Sequence, residues 1–431
     1  MKQSRYNSYL LLESGEFLLY NSFHDKKAII DEEMRISLTN GVIEDKDLEI
    51  TLVDSGFLVG DTVDELKMVR GKRREAIARN FAEKVGVTFV LTYSCNLSCT
   101  YCYEQGVRSR GGFMNTTVID AIMKFARRQI ERKHSAKFFF SRLYGGEPLL
   151  NWKGCQHILT HIENMVDEYS IENFTSLITN ATLFTDPMWE IFSSFGLEKL
   201  QITLDGCKED HNKRRIMPDG SGTYDMIMKA IGRAFDMGII PEIRVNLDEE
   251  NYRGIESLFD DLKENGFEKA KIQLGFIKGL QMHCSSNPTS CLKPTILAEL
   301  LPYIWEQAGN RGLEVLESTN NAIFCQFDLL DFYVIDPFLD VYKCWDLIGM
   351  KEHRIGKIVD SQFFPEYAYF DSISRDVTLF IGCRECDILP VCNGGCAARA
   401  YDCFGTYHAA GCFQERYVVE QRLKRHIIQE R

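Results

Sequence analysis

The stretch Val87–Glu104, VTFVLTYSCNLSCTYCYE, decides how this chain is read. Its first seven residues are β-branched, aromatic or leucine, the composition of a buried strand. The strand runs directly into three thiols, Cys95, Cys99 and Cys102, spaced C-x3-C-x2-C. Three thiolates can hold three irons of a [4Fe–4S] cube. No fourth cysteine lies close by, so the fourth iron is left open, whereas a closed electron-transfer cluster usually takes four cysteines. An open position on a metal is where a small molecule binds. The bland alternative is a zinc knot or three unrelated thiols, and the spacing at the end of a strand argues against it.

Outward from this stretch the chain has an α/β rhythm. Strands are expected at Val87–Tyr93, Lys137–Tyr144, Thr175–Asn180, Lys199–Leu204, Ile240–Leu247 and Lys269–Ile277. Helices follow them at Met114–Lys133, Trp152–Tyr169, Pro187–Phe195, Tyr224–Met237, Tyr252–Asn265 and Lys293–Ala308. Repeated strand–helix units imply parallel strands joined by right-handed crossovers. Strands buried on both faces should be nearly continuous apolar runs, as Phe138–Phe140 and Ile243–Leu247 suggest. Six units are too few for a closed eight-stranded barrel and suit an open, partial (β/α)6 TIM-like barrel. Ligands in such sheets bind at the carboxyl ends of the strands. Gly145-Gly146-Glu147-Pro148, Thr179-Asn180 and Thr203-Leu204-Asp205-Gly206 stand at those ends.

Composition bounds the rest. The chain has 431 residues, 45% of them apolar, with a net charge of −12. That excludes wholesale disorder and gives no electrostatic footprint for nucleic acid. No run approaches a membrane span, and acidic residues interrupt the first twenty positions, so no secretory signal is read and the cytoplasm is expected. In a reducing compartment cysteines are more often ligands than disulfides. The 15 cysteines are an odd number, which rules out complete pairing within one chain. None precedes Cys95, and eight crowd the tail: Cys325, Cys344, Cys383, Cys386, Cys392, Cys396, Cys403 and Cys412. From spacing alone, zinc and iron–sulfur are equally open readings of this tail.

The triplet, with an aromatic residue before its last cysteine, resembles the signature of radical S-adenosylmethionine (SAM) enzymes. The strand-end motifs resemble that family's GGEP and SLDG elements, and His211-Asn-Lys-Arg-Arg215 resembles the HDxxR stretch after SLDG. Thr203, Asn212 and Ala181 depart from the family's Ser, Asp and Gly. The resemblance implies that Cys95, Cys99 and Cys102 hold a cluster whose open iron chelates SAM. Gly145, Gly146 and Glu147 would bind the methionine amino group, Arg215 its carboxylate, and Thr203 the ribose or methionine portion. Tyr101 would pack near the adenine, and Asn180 would stand at the same strand-end site. One electron into the cluster would yield a 5′-deoxyadenosyl radical that takes a hydrogen atom from substrate. A flavodoxin or ferredoxin would donate the electron.

The tail looks like the SPASM domain, which carries two further [4Fe–4S] clusters, three per chain with the first. Carried over by position, Cys325, Cys344 and Cys396 serve one auxiliary cluster, and Cys383, Cys386, Cys392 and Cys412 the other. The place of a fourth ligand to the first auxiliary cluster holds Thr319, leaving Cys284, Cys291, Cys403 or an open iron. Cys403 is also an alternative to Cys412. Where the SPASM pattern has a glycine five residues before its second cysteine, this chain has Leu339, so an altered turn is expected. Cys155 and Cys207 read as buried structural thiols.

The implied organisation is a small α+β, winged-helix-like leader-recognition domain (1–86), a radical SAM core (87–310) and a SPASM domain (311–431). The head shows strands at Tyr9–Leu12 and Phe17–Tyr20 and a helix near Arg73–Val85. SPASM enzymes with such a head modify ribosomally made precursor peptides, capturing the leader as an added strand. The expected reaction is an intramolecular carbon–carbon or thioether cross-link. The alternatives are peptide epimerisation and formylglycine formation by an anaerobic sulfatase-maturating enzyme. The last places an aspartate base directly after the second SPASM cysteine, where this chain has Trp345 and then Asp346. No other residue is assignable as base or hydrogen donor.

Overall fold

The computed structural model describes residues 1–277, 294–316, 325–412 and 415–430. Cys284, Cys291 and Thr319 therefore lie outside the described residues. The chain divides into two compact units that do not follow sequence order. One comprises Asn80–Glu317 and Leu329–Ile373, the other Met1–Arg79, Ser318–Asp328 and Ser374–Arg431.

The larger unit is built on one mixed sheet. Its strands are β1 (Lys84–Val90), β2 (Phe138–Tyr144), β3 (Glu172–Thr179), β4 (Lys199–Thr203), β5 (Glu242–Leu247), β6 (Lys271–Phe276) and β7 (Glu314–Val315), then β8 (Phe332–Ile335), β9 (Asp340–Tyr342), β10 (Gly356–Val359) and β11 (Gln362–Pro365). Their order is β7-β6-β5-β4-β3-β2-β1-β8-β9-β10-β11. All pairs from β7 to β8 are parallel, and the last three are antiparallel. The helices are α1 (Thr116–Glu131), α2 (Trp152–Tyr169), α3 (Asp186–Phe195), α4 (Lys208–Arg214), α5 (Tyr224–Asp236), α6 (Ile255–Glu264) and α7 (Pro294–Gly309). The six expected strand–helix units are all present. The sheet is an open one, and α4 is a helix that the charged run Lys208–Arg215 did not announce.

The strands alternate more than expected. On β5, Ile243, Val245 and Leu247 are fully buried, while Arg244 and Asn246 are only half-buried. On β2, Phe139, Ser141 and Leu143 are buried, and Phe138, Phe140 and Arg142 point to the opposite face. The rings of Phe138, Phe140, Phe174 and Phe332 pack together with centroids 4.9–6.5 Å apart, forming an aromatic layer in the sheet.

β8 extends the parallel run by pairing with β1, Phe332 opposite Gly86. A Cβ on Gly86 would come within 2.3 Å of the Phe332 ring, so only glycine admits that pairing. The β8–β9 hairpin is held by Asp336. One carboxylate oxygen accepts from the amides of Phe338 and Asp340, and the other accepts from the Tyr93 hydroxyl at 2.9 Å. Burial, with Asp340 adding to it, pushes Asp336 up to about 6. The expected alteration at Leu339 takes a particular form. The hairpin keeps its register, Val334 opposite Tyr342, and Leu339 itself adopts φ 62°.

The smaller unit joins head and tail in one core. Asn7–Leu11, Phe17–Asn21 and Lys26–Ile30 form an antiparallel three-stranded sheet, and Lys2–Gln3 pairs with Leu58–Val59. Helices span Glu32–Asn40, Lys46–Asp54 and Glu65–Glu83, the last ending where Lys84 and Val85 enter β1 instead of continuing it. Tyr6 and Val69 pack with Phe380, Cys383 and Leu389, and Leu18 and Tyr20 with Ile388, Val419 and Leu423. Asp328 bridges Arg73 at 3.0 Å and Arg375 at 3.2 Å, all three buried.

A leucine in the left-handed region costs about 1–2 kcal/mol that glycine does not. Leu339→Gly should therefore raise stability by about 1 kcal/mol after the extra unfolded-state entropy of glycine, read as a thermal midpoint higher by a few degrees. An unchanged or lower midpoint would contradict the strain at this turn.

Candidate functional site

The cysteine loop leaves β1 and is pinned by its backbone. Ser98 and Thr100 amides donate to the carbonyls of Ile216 and Arg214 at 2.7 and 3.0 Å. Arg108 Nη1 donates to the Leu97 carbonyl at 2.8 Å and Gln105 Nε2 to the Cys99 carbonyl at 3.0 Å. The thiols themselves receive donors. The Leu97 amide stands 3.4 Å from Cys95 Sγ, Asn180 Nδ2 3.8 Å from the same sulfur, and Arg108 Nη2 3.3 Å from Cys102 Sγ. Burial pushes the Cys95 thiol up to about 12 and raises Cys102 too. Cys95 and Cys102 are thus protonated as free thiols, and binding iron there would release protons. Among the described residues, the donor trio near enough to share a single ion is Asp120, His157 and His161, not the cysteine triplet. Wider-set sulfurs suit a cluster better than one zinc.

The strand ends close around this loop. Gly145 adopts φ 142°, and a Cβ there would lie 2.4 Å from the Thr92 carbonyl oxygen. One on Gly146 would lie 2.3 Å from that of Ser94. The two glycines let β2's end lie flat against the cysteine loop. Glu147 is buried and spent on the scaffold. Its carboxylate accepts from the Leu149 amide (2.9 Å), the Thr179 hydroxyl (2.8 Å) and the Asn180 amide (2.8 Å). Burial raises its pKa, and those three bonds oppose the shift.

At the end of β4, Asp205 is the hub. Its carboxylate accepts from the Asn246 amide at 2.8 Å and from the Tyr101 hydroxyl, which in turn accepts from Arg215 Nη1 at 2.8 Å. Arg214 lies over the Tyr101 ring and donates to Asp248 at 2.7 Å. Tyr101 is thereby placed in a polar network. His211 Nδ1 accepts from the Asp205 amide at 3.1 Å, so Nε2 carries the proton and meets Thr223 Oγ1 at 3.0 Å. Burial, then Arg215 and Arg214, push His211 down to about 2, keeping it neutral.

These groups surround a cavity of about 390 Å³. Cys95, Cys99, Cys102, Tyr101, Gly145, Gly146, Asn180, Thr203 and Arg215 all line it, and Glu147 does not. Asp346, following Trp345, also reaches it. Sequence reading missed Glu104, Arg108, Arg142, Arg244 and Asn246, which line it too. Period-two alternation on β2 and β5 was the signal available for Arg142 and Arg244. Burial raises Glu104 to about 8, with Arg108 opposing and Asp346 adding to the shift. The buried Nε atoms of Arg108 and Arg215 have no hydrogen-bond partner among the described residues. Unsatisfied guanidinium donors beside three thiols are what a sulfide-rich cluster and an amino-acid carboxylate would satisfy.

Residues 89–262 match the family model of the radical SAM superfamily. Those residues are a radical SAM domain, and the chain is an enzyme. It is 25% identical to a cysteine-type anaerobic sulfatase-maturating enzyme of Clostridium novyi (strain NT), over 70% of this chain and 85% of that one. Its fold is similar to native anSMEcpe with bound AdoMet and Cp18Cys peptide, with a TM-score of 0.63, 18% identity and coverage of 80% and 98%. It is also similar to Streptococcus suis SuiB bound to precursor peptide SuiA, with a TM-score of 0.54, 16% identity and coverage of 92% and 95%.

A radical SAM domain implies SAM and one [4Fe–4S] cluster. The tail cysteines are SPASM-like. In the smaller unit, Cys383 feels burial first and then Cys412 and Cys386, which push it up to about 11. Asn393, Gly394 and Gly395 all adopt positive φ, and the Gly411 amide donates to the Gly394 carbonyl at 3.0 Å. That turn sets Cys396 beside the segment leading into Cys412. Cys325, Cys392 and Cys403 belong to the same unit, and Cys344 to the larger one. Cys155 is fully buried and Cys207 partly so, consistent with structural thiols. Among the described residues no helix is long and apolar enough to cross a membrane.

Because His211 is held neutral in the fold but titrates near 6.5 when unfolded, its contribution is complete above that pH and is lost as pH falls below it. From pH 7.5 to 5.5 the loss is about 1.4 kcal/mol. His211→Asn, whose side-chain oxygen can still accept from Asp205, should flatten this fall in thermal unfolding curves. An equal pH slope in the two proteins would contradict a neutral His211.

Proposed function

We propose that the protein is a radical SAM maturase acting on a ribosomally made precursor peptide, forming an intramolecular carbon–carbon or thioether cross-link. The observation that carries this reading is the single cavity in which the three cluster thiols, the strand-end residues and a charged inner wall meet. Cys95, Cys99 and Cys102 would hold the cluster, with Asn180 and Arg108 donating to its sulfur ligands. Gly145 and Gly146 leave backbone room for the methionine amino group, Arg215 takes the carboxylate, and Thr203 faces the ribose. Glu147 acts by fixing the turn and the end of β3. When bound, cluster and SAM supply the hydrogen-abstracting radical. The residues around them orient the peptide and exclude water.

Two auxiliary clusters in the cysteine-rich tail would remove the second electron, with Cys325, Cys344 and Cys396 serving one and Cys383, Cys386, Cys392 and Cys412 the other. An external flavodoxin or ferredoxin would reduce the SAM cluster. The outer strand Asn7–Leu11 offers an edge for the leader of the substrate. The division 1–86, 87–310 and 311–431 is retained as a functional one, for leader, chemistry and auxiliary clusters.

A second reading is favoured by one observation. Asp346 lies on the cavity wall despite its one-residue displacement from the sulfatase-maturase position. A carboxylate there could accept the proton lost when a Cys or Ser side chain is oxidised to formylglycine.

Anaerobically reconstituted protein should release 5′-deoxyadenosine from SAM and reductant, and serine at Cys95, Cys99 and Cys102 together should abolish it. Retained cleavage in the triple variant would defeat the reading. Iron should approach about twelve atoms per chain, three cubes of four. About four irons with zinc would remove the auxiliary clusters. Mass spectrometry of the product peptide distinguishes a cross-link, which loses two hydrogens, from formylglycine, which also exchanges sulfur for oxygen when Cys is the target.

A further inference from the structure

One charge in the cavity is not among the residues assigned to SAM above. Arg244 on β5 faces the cavity, and its fork is only partly engaged. Nε donates to Asn246 Oδ1 at 3.0 Å and Nη1 to the Leu274 carbonyl at 3.4 Å. Both acceptors are neutral. Among the described residues no carboxylate lies within ion-pairing distance of it, whereas the nearby cations are paired: Arg214 with Asp248, and Lys199 with Glu242. Arg142 on the same wall lies over the Trp345 ring, 4.5 Å from its centroid. Burial holds the Arg244 pKa below the ordinary guanidinium range, opposed by more distant Asp205 and Asp346.

The fold makes room for this group. Gly275 on β6 stands opposite Asn246 in the parallel register. A Cβ at Gly275 would come within 1.9 Å of Arg244 Nη2 and 2.2 Å of its central carbon. Any other residue there would expel the guanidinium. The neighbouring wall holds Gln201, which donates to Gln273, and Lys199, which is paired with Glu242. The acids of the cavity, Glu104 and Asp346, interact with each other, not with Arg244 at contact distance. Arg244 thus lines the cavity with no carboxylate at contact distance among the described residues. A half-buried guanidinium without a counter-ion is costly, and its planar fork matches a carboxylate.

We propose that Arg244 is a subsite for a carboxylate of the peptide substrate, an Asp or Glu side chain or a free C-terminus next to the residue attacked. The carboxylate would displace solvent from the fork and pair with it. This inference rests on the proposed function, since it takes the cavity to be the place where SAM and peptide meet.

The test uses reconstituted, SAM-saturated holoenzyme and three capped pentapeptides of alanine. One has a central Glu, one a central Gln, and the third a free C-terminus in place of the amide. Calorimetry should show the Glu peptide or the free-acid peptide binding about ten-fold more tightly than the Gln peptide, the worth of one charge-assisted contact. Which of the two gains identifies the source of the carboxylate. Arg244→Gln should remove the preference and Arg244→Lys should keep part of it. Equal binding of all three to the wild type, undetectable binding included, would overturn the proposal. So would a loss of SAM affinity in Arg244→Gln, which would assign the guanidinium to SAM's own carboxylate. Arg244→Met should have a thermal midpoint at or above wild type, because it deletes an unpaired, half-buried charge. A fall of more than about 5 °C would make Arg244 a structural residue and overturn the proposal too. If wild type releases no 5′-deoxyadenosine, the proposed function fails, and the peptide comparison still decides whether a carboxylate site exists.

Discussion

A carboxylate taken out of water must find donors, and two such groups at strand ends organise this site. Glu147, at the end of β2, gathers the Leu149, Thr179 and Asn180 donors and so fixes the turn and the end of β3. Asp205, past the end of β4, gathers the Asn246 amide and the Tyr101 hydroxyl, joining β5 to the cysteine loop. Satisfying both charges leaves little freedom for the backbone around Cys95–Cys102. The cysteine spacing then acts on a loop whose position is set by its neighbours.

The same economy extends along the sheet. Asp336 satisfies its buried charge with two hairpin amides and Tyr93, tying β8 and β9 to the strand that precedes the cysteine loop. Through that hairpin Trp345 and Asp346 reach the cavity wall. In the smaller unit Asp328 has the same role between Arg73 and Arg375, and head and tail side chains fill one core around it. The head thus shares its core with the tail, although its outer strand remains an edge.

Function follows from the contrast between satisfied and unsatisfied groups. His211, Asn212, Asp205 and Glu147 have partners and hold geometry. Asn212, for instance, accepts from the Thr223 and Tyr224 amides at the start of α5. Arg108, Arg215 and Arg244 face the cavity with donors left over. Those leftover donors are what a cluster, an amino-acid carboxylate and an acidic peptide would use, and they are all cationic in a protein of net charge −12.

By itself the sequence determined the six strand–helix units, the thiol triplet and the order of the strand-end motifs. Hydrophobic period and short spacing are properties of neighbouring residues, so they survive without coordinates. It left the pairing of Phe332–Ile335 with β1 unread, because that contact joins residues far apart along the chain and depends on Gly86 having no side chain. Ile243–Leu247 read as an apolar run until the pleat turned Arg244 and Asn246 to the lumen. Glu147 read as a ligand, and the fold adds that three protein donors surround its carboxylate, which only tertiary structure reveals. Residue type limits what each side chain can do chemically. Tertiary structure decides which of them have already been used.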